Sequence, residues 1–262
     1  MQRENRGPAE IQAGRALDFG MAQSQGVTRS ENQDAMLALC WHFLDGAGEH
    51  DLGLFVVADG VGGAPNGQLA SRLAVRRLAQ SVSGDLLEPE DNLPFRAPVS
   101  LKKGFLAAHR AVIDQAHGGG TTLTAALIED ATLYLAHVGD SRAYSIRHDR
   151  GMLQLSEDHS LNRWIKDGQE EGRGPRNPLR NVLTQAVGQA KGIRPQFLQM
   201  DWTTAVALLL CTDGMWKSVG DEEVEAIVRG EEEPEAVCRR LVSLVNERGG
   251  PDNTSALLVR QS

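Results

Sequence analysis

The apolar positions of this chain follow two periods, and the places where the period changes divide it into elements. Leu17–Ala22, Ala35–His42 and Gly53–Ala58 are apolar or alternating, with polar or glycine-containing turns between them, which predicts three strands. From Asn66 to Ser81 the period becomes helical: Leu69, Leu73, Val75 and Leu78 share one face, and Arg72, Arg76 and Arg77 lie on the solvated side. Ser83–Pro98 holds three prolines and several acids and predicts a loop, and Val99–His117 predicts a second helix. Four strands follow, at Thr122–Ile128, Thr132–Val138, Arg142–Arg147 and Met152–Leu155, with turns at Glu129-Asp130 and Asp149–Gly151.

Asp158–Asn181 breaks the pattern. It is rich in Gly, Arg, Glu and Asn, with Trp164 and Ile165 as isolated apolar anchors, and it predicts a surface flap over about 158–181. Strands return at Val182–Ala186, Gln196–Trp202 and Val206–Cys211. Asp221–Arg229 predicts a helix with acids in its first turn, where the helix dipole favours them. Pro234–Arg248 predicts a longer helix with Val237, Leu241, Leu244 and Val245 on one face, and Thr254–Val259 a closing strand.

Strands that follow one another directly predict hairpins and antiparallel sheets. Stacking two such sheets with helices outside buries every apolar face. The expected fold is α+β: a central β-sandwich of two antiparallel sheets flanked by helix pairs. No repeat or linker interrupts it, so residues 15–262 are read as one domain. Met1 to about Gly14 is polar and is read as a flexible tail.

Composition narrows the function. A net charge of -8 argues against nucleic acid as the main partner. No apolar run approaches the ~20 residues of a membrane span. The N-terminal residues lack the apolar core of a secretory signal, so a cytoplasmic location is expected. Cys40, Cys211 and Cys238 are odd in number and form no Cys-x-x-Cys pair, which favours buried reduced thiols over a disulfide or zinc site.

The chemistry lies where apolar strands meet acids. Phe55-Val-Val-Ala-Asp59-Gly60 and Ala207-Leu-Leu-Leu-Cys-Thr-Asp213-Gly214 end on an aspartate, and Asp252-Asn253 opens Thr254–Val259. A carboxylate at the end of a buried strand costs free energy unless something compensates it. Asp-Gly is also a common hairpin turn. Here, however, neither Asp59-Gly60 nor Asp213-Gly214 is followed at once by a strand; the turn reading suits Asp167-Gly168, inside the flap. Carboxylates without nearby Cys or His clusters suit Mg²⁺ or Mn²⁺. Two such ions bridged by one carboxylate can hold a hydroxide at neutral pH and clamp a phosphoryl group for in-line attack. An arginine fork matches phosphate oxygens, and Arg29, just before the second strand, is a candidate, although a lone arginine in a turn is more often simply solvated.

Other sites tempt less. Gly139-Asp-Ser141-Arg-Ala143 approximates a nucleophile elbow but lacks its last glycine and runs into a strand rather than a helix. The glycines from Gly60 to Gly67 lack the spacing of a nucleotide cradle and suit close backbone approach to a metal. His137, on an apolar strand, reads as a satisfied core histidine, and His159 as a structural hydrogen-bonder.

Seven short motifs occur in order: Arg29-x-x-Asn32-Gln33-Asp34, Val57-Ala-Asp59-Gly60-Val-Gly62-Gly63, Gly119-Gly-Thr-Thr122, Val138-Gly-Asp140-Ser-Arg142, Asp158-His-Ser160, Cys211-Thr-Asp213-Gly214 and Gly250-Pro-Asp252-Asn253-Thr254. Together they resemble the metal-dependent protein phosphatases of type 2C, in their compact bacterial form, over roughly Leu17 to Val259. The resemblance implies that Asp59 bridges two metal ions and that the Gly60 carbonyl binds one of them. It implies that Asp213 and Asp252 complete the second site, that Asp34 acts near the first through water, and that Arg29 holds the substrate phosphate. Asp140 would contact a third, weaker ion, alongside Asp213. The family's usual histidine after the bridging Asp-Gly is Val61 here, which donates no proton, and Gln33 stands where some relatives have Glu.

The expected function is hydrolysis of phosphoserine or phosphothreonine on proteins, with Mn²⁺ or Mg²⁺ and a metal-bridging hydroxide as nucleophile. The expected partners are phosphoproteins, the substrates of a cognate kinase. The rival is a catalytically inactive member kept as a binding module; such a chain should have lost one of Asp59, Asp213 or Asp252, and all three are present. Activity on a small phosphorylated metabolite is a third expectation.

Overall fold

Strand β3 (Gly48–Asp59) shows how the layers arise. Leu52, Leu54, Val56 and Ala58 face one way and Phe55 and Val57 the other, and none of the six is more than 2 % exposed. A strand apolar on both faces must be covered on both. The first set packs on helices α1 (Gly67–Leu87) and α2 (Ala97–Gln115), the second on the opposite sheet. This computed structural model describes residues 17–45, 48–62, 64–88, 95–161, 182–189 and 192–261. The expected N-terminal tail and most of the flap, including Asp167-Gly168, lie outside the described residues.

One sheet has the order β2 (Asp34–Asp45), β3, β4 (Leu123–Glu129), β5 (Thr132–Val138), β8 (Gln196–Asp201). The other has the order β1 (Leu17–Ser24), β10 (Thr254–Gln261), β9 (Ala205–Cys211), β6 (Arg142–Arg147), β7 (Gly151–Gln154). Every neighbouring pair is antiparallel. Leu208 and Leu210 of β9 and Leu257 and Val259 of β10 face the inter-sheet layer. Their alternates Ala207, Leu209, Ala256 and Leu258 pack outward on the one-turn helix α3 (Asp213–Trp216) and on α4 (Asp221–Val228) and α5 (Pro234–Glu247). The expected sandwich between helix layers is the observed one.

The differences are local. Helix α1 runs on to Leu87, six residues past the expected end: its buried stripe of Ala70, Ala74, Leu78 and Val82 is carried into the segment read as loop by the partly buried Leu86. Leu69, expected on the buried face, is exposed. Val182–Ala186 is not a strand: Leu183 bridges Ser160, while nearby Val187 bridges Thr121, so the segment joins no common ladder. His137 is fully buried, as expected. Cys211 and Cys238 are buried, but Cys40 is exposed, on an edge strand.

Candidate metal centre

The inter-sheet layer changes character toward one end. Moving along β3 by steps of two, Phe55 and Val57 lead to Asp59, and along β2 Met36 leads back to Asp34. In the other sheet the same step takes Leu210 of β9 to Thr212 and Leu257 of β10 to Ser255. The apolar core thus ends in acids and hydroxyls. Thr212 Oγ1 donates to Asp34 Oδ2 at 2.8 Å, and Ser255 Oγ donates to the same oxygen at 2.7 Å. The other oxygen, Asp34 Oδ1, is buried with no hydrogen-bond partner.

Asp59 is held through its backbone. Its N–H donates to Thr122 Oγ1 at 2.8 Å, and its carbonyl accepts from Thr121 Oγ1 at 2.8 Å and from the Thr122 N–H. Thr122 Oγ1 also meets Ser141 Oγ at 2.7 Å, linking Asp59 to the loop that carries Asp140. Gly60 is required by crowding: a Cβ there would lie 2.5 Å from the backbone of Gly67, where α1 begins.

Asp213 and Asp252 are brought together by a second glycine. A Cβ on Gly214 would stand 2.1 Å from the Asn253 carbonyl oxygen, so only glycine lets the start of α3 lie against the start of β10. Asn253 then fastens the Arg29 loop. Its Nδ2 donates to the carbonyls of Gln25 and Glu31, both at 2.8 Å, and its Oδ1 accepts from the Gln33 N–H at 2.9 Å. On that loop Arg29 donates to Asp252 Oδ2 at 2.6 Å.

Asp140 lies in the turn from β5 to β6, fixed from both sides. His137 bridges Thr124 Oγ1 at 2.8 Å and the Gly139 carbonyl at 2.9 Å, while the Gly139 N–H donates to His159 Nδ1 at 3.1 Å. Burial first, then the neighbouring His159, pushes the His137 pKa down to about 4, so this imidazole is neutral. Both histidines are structural, as their sequence contexts predict. Trp216 donates its indole N–H to the Asp140 carbonyl at 3.0 Å. The Arg142 guanidinium lies 3.6 Å from the centre of that indole and is held by both oxygens of Asp158.

These elements enclose a cleft of about 630 Å³ lined by Arg29, Gly60, Asp59, Asp140, Asp213 and Asp252 among others. Six of the seven sequence-predicted site residues meet there, and Asp34 stands behind the wall. Burial, reinforced by Asp213, raises the Asp140 pKa to about 7. Burial also raises Asp34 to about 7, against the hydrogen bonds from Ser255 and Thr212. Asp59 is raised well above the usual carboxylate range, by burial and then by Asp213, Asp34 and Asp140. Among the described residues, no Lys, Arg or His forms an ion pair with Asp34, Asp59 or Asp140.

The donor set suits a hard divalent cation: clustered carboxylates, one buried oxygen without a partner, and mutual repulsion that a cation would remove. Among the described residues no three such side chains are already drawn into a chelate. Two cations hold ligand candidates instead: Arg29 pairs with Asp252, and Lys217 with Asp213. Lys217 is the site residue that sequence reasoning missed. Its only signal is its place four residues after Asp213, on the same helical face.

The same architecture recurs in known proteins. A family profile described as Protein phosphatase 2C matches residues 24–249. The chain belongs to the protein phosphatase 2C family, and its activity class is serine/threonine protein phosphatase. The serine/threonine phosphatase stp of Listeria innocua is 31 % identical over 219 residues, which cover 80 % of this chain and 84 % of that protein. Protein phosphatase PhpP of Streptococcus pneumoniae is 31 % identical over 248 residues, covering 93 % of this chain and 97 % of that one. The crystal structure of the Mycobacterium tuberculosis serine/threonine phosphatase PstP/Ppp matches with a TM-score of 0.72 at 28 % identity, over 94 % of this chain and 99 % of that chain. Among the described residues no helix is long and apolar enough to cross a membrane.

Proposed function

We propose that this phosphatase is metal-dependent and hydrolyses phosphoserine and phosphothreonine on protein substrates of a cognate kinase, in the cytoplasm. The observation that carries the reading is the convergence of Asp34, Asp59, Asp140, Asp213 and Asp252 at one open end of the inter-sheet layer, with Asp34 Oδ1 buried and unpartnered. Asp59, the Gly60 carbonyl, Asp213 and Asp252 would hold two Mn²⁺ or Mg²⁺ ions, with Asp34 supporting them from behind. Such ions supply charge compensation for the phosphoryl oxygens and a water-derived nucleophile at neutral pH.

The chain's own residues do the rest. Arg29, on the loop pinned by Asn253, presents its guanidinium at the cleft mouth, 47 % exposed, where it can take a phosphate oxygen. Thr122, Ser141 and Asn253 keep the acids in place as a phosphate binds. Val61 lines the cleft and offers no proton to the leaving alkoxide. The deciding experiment is hydrolysis of a phosphothreonine peptide by protein stripped with EDTA. Turnover should be lost on stripping and return with Mn²⁺. Full turnover by the stripped protein would refute metal dependence.

A further inference from the structure

Lys217 stands beside Asp213, one of the two carboxylates to which the resemblance to type 2C phosphatases gives a third ion. It follows helix α3 directly, and its Nζ donates to Asp213 Oδ2. The residue before it, Trp216, holds the Asp140 carbonyl, so one turn of chain ties the lysine to both acids. Lys217 and Asp140 line the same cleft. The lysine Nζ lies 5.2 Å from the centre of the Trp216 ring, and that ring is itself braced by Arg142.

We propose that the Lys217 ammonium, held on Asp213 in the cleft that Asp140 also lines, takes the place of a third ion, so that the centre takes two divalent ions and excludes a third. The inference rests on the metal-centre reading above and removes Asp140 from the residues expected to contact an ion. A divalent ion between these carboxylates would have to displace an ammonium tethered within one helical turn of Asp213. The displaced charge would stay in the cleft and repel the ion at short range, where fields are weakly screened.

The test is a count of bound Mn²⁺ on the metal-stripped full chain, read as the loss of the free-ion EPR signal up to millimolar Mn²⁺. Wild-type protein should saturate at two ions per chain. Lys217→Asp, which exchanges the ammonium for a carboxylate, should bind one ion more, with its circular dichroism unchanged. Three ions on the wild-type chain would overturn the inference, as would a folded Lys217→Asp variant that stays at two. Fewer than two ions on the wild-type chain would overturn the metal-centre reading itself, and this inference with it. The wild-type count decides alone if the variant loses its fold.

Discussion

Asp34 and Asp59 are direct cross-strand partners at the open end of the β2–β3 ladder. Like charges opposed on neighbouring strands destabilise a sheet, and Asp34 is buried as well, with Asp59 half-buried at the cleft. The fold tolerates the pair by keeping protons on it: Asp34 titrates at about 7, and Asp59 is raised well above its ordinary range.

The pH dependence follows. A carboxyl whose folded pKa lies above its unfolded value of about 4 costs stability as pH rises from there through the folded value. The metal-free protein therefore loses this contribution between about pH 4 and the Asp34 value of about 7. A divalent ion needs the deprotonated carboxylates, so it binds more tightly above that window and restores the stability. The rise in Tm on adding Mn²⁺ to EDTA-stripped protein should be larger at pH 8 than at pH 6. Equal shifts at both pH values would contradict the coupling.

Asp59→Asn should separate function from folding. The amide keeps the shape and cannot ionise, so the cost of deprotonating this position beside Asp213, Asp34 and Asp140 disappears. Turnover should fall by at least about a hundredfold, more than the loss usual for residues behind a metal ligand. The Tm of the metal-free variant should match or exceed that of the wild type. Parallel melting curves and p-nitrophenyl phosphate kinetics check both halves; a variant with near-wild-type kcat would remove Asp59 from the centre.

Arg29→Ala should act chiefly on KM. The side chain sits at the mouth, 47 % exposed, and its present partner Asp252 is a ligand candidate. A charge-assisted hydrogen bond is worth about 1.5–3 kcal/mol, so KM should rise about tenfold or more. Because the contact is made in ground state and transition state alike, kcat should change less. Steady-state kinetics on a phosphopeptide would show it, and an unchanged KM would count against a phosphate contact.

Asp59, Asp213 and Asp252 were legible in sequence because each stands where an apolar run stops or starts, whereas Asp34 and Asp140 were expected only from the family resemblance; the two-sided burial of β3, β9 and β10 reads directly as apolar runs. The supports were not. Thr212 and Ser255 reach Asp34 only because two sheets far apart in sequence stack face to face. Lys217 looks like any surface lysine until a one-turn helix aims it at Asp213. The extension of α1 was hidden because Ser83, Gly84 and Asp85 interrupt the apolar pattern between Val82 and Leu86. Cys40 was misplaced because an apolar strand at a sheet edge reads like one in the middle.

Gly214→Ala tests how the two halves of the centre are joined. The glycine contributes no ligand, yet a methyl group there would stand 2.1 Å from the Asn253 carbonyl and 2.8 Å from Thr254 Oγ1. No rotamer relieves a Cβ clash with backbone, so α3 and the start of β10 must part. Overpacking of this kind costs about 1–3 kcal/mol. The parting moves Asp213 on one side and, on the other, Asp252 and the Asn253 bonds that hold the Arg29 loop. Lower Tm should therefore come with weaker Mn²⁺ binding and a higher KM together. The Gly230→Ala exchange is the control: a Cβ there meets nothing closer than 3.2 Å, and Gly230 lies just after α4, away from the cleft. A Gly214→Ala variant that lost stability but kept wild-type Mn²⁺ affinity would show that the close approach serves the fold and not the metal centre.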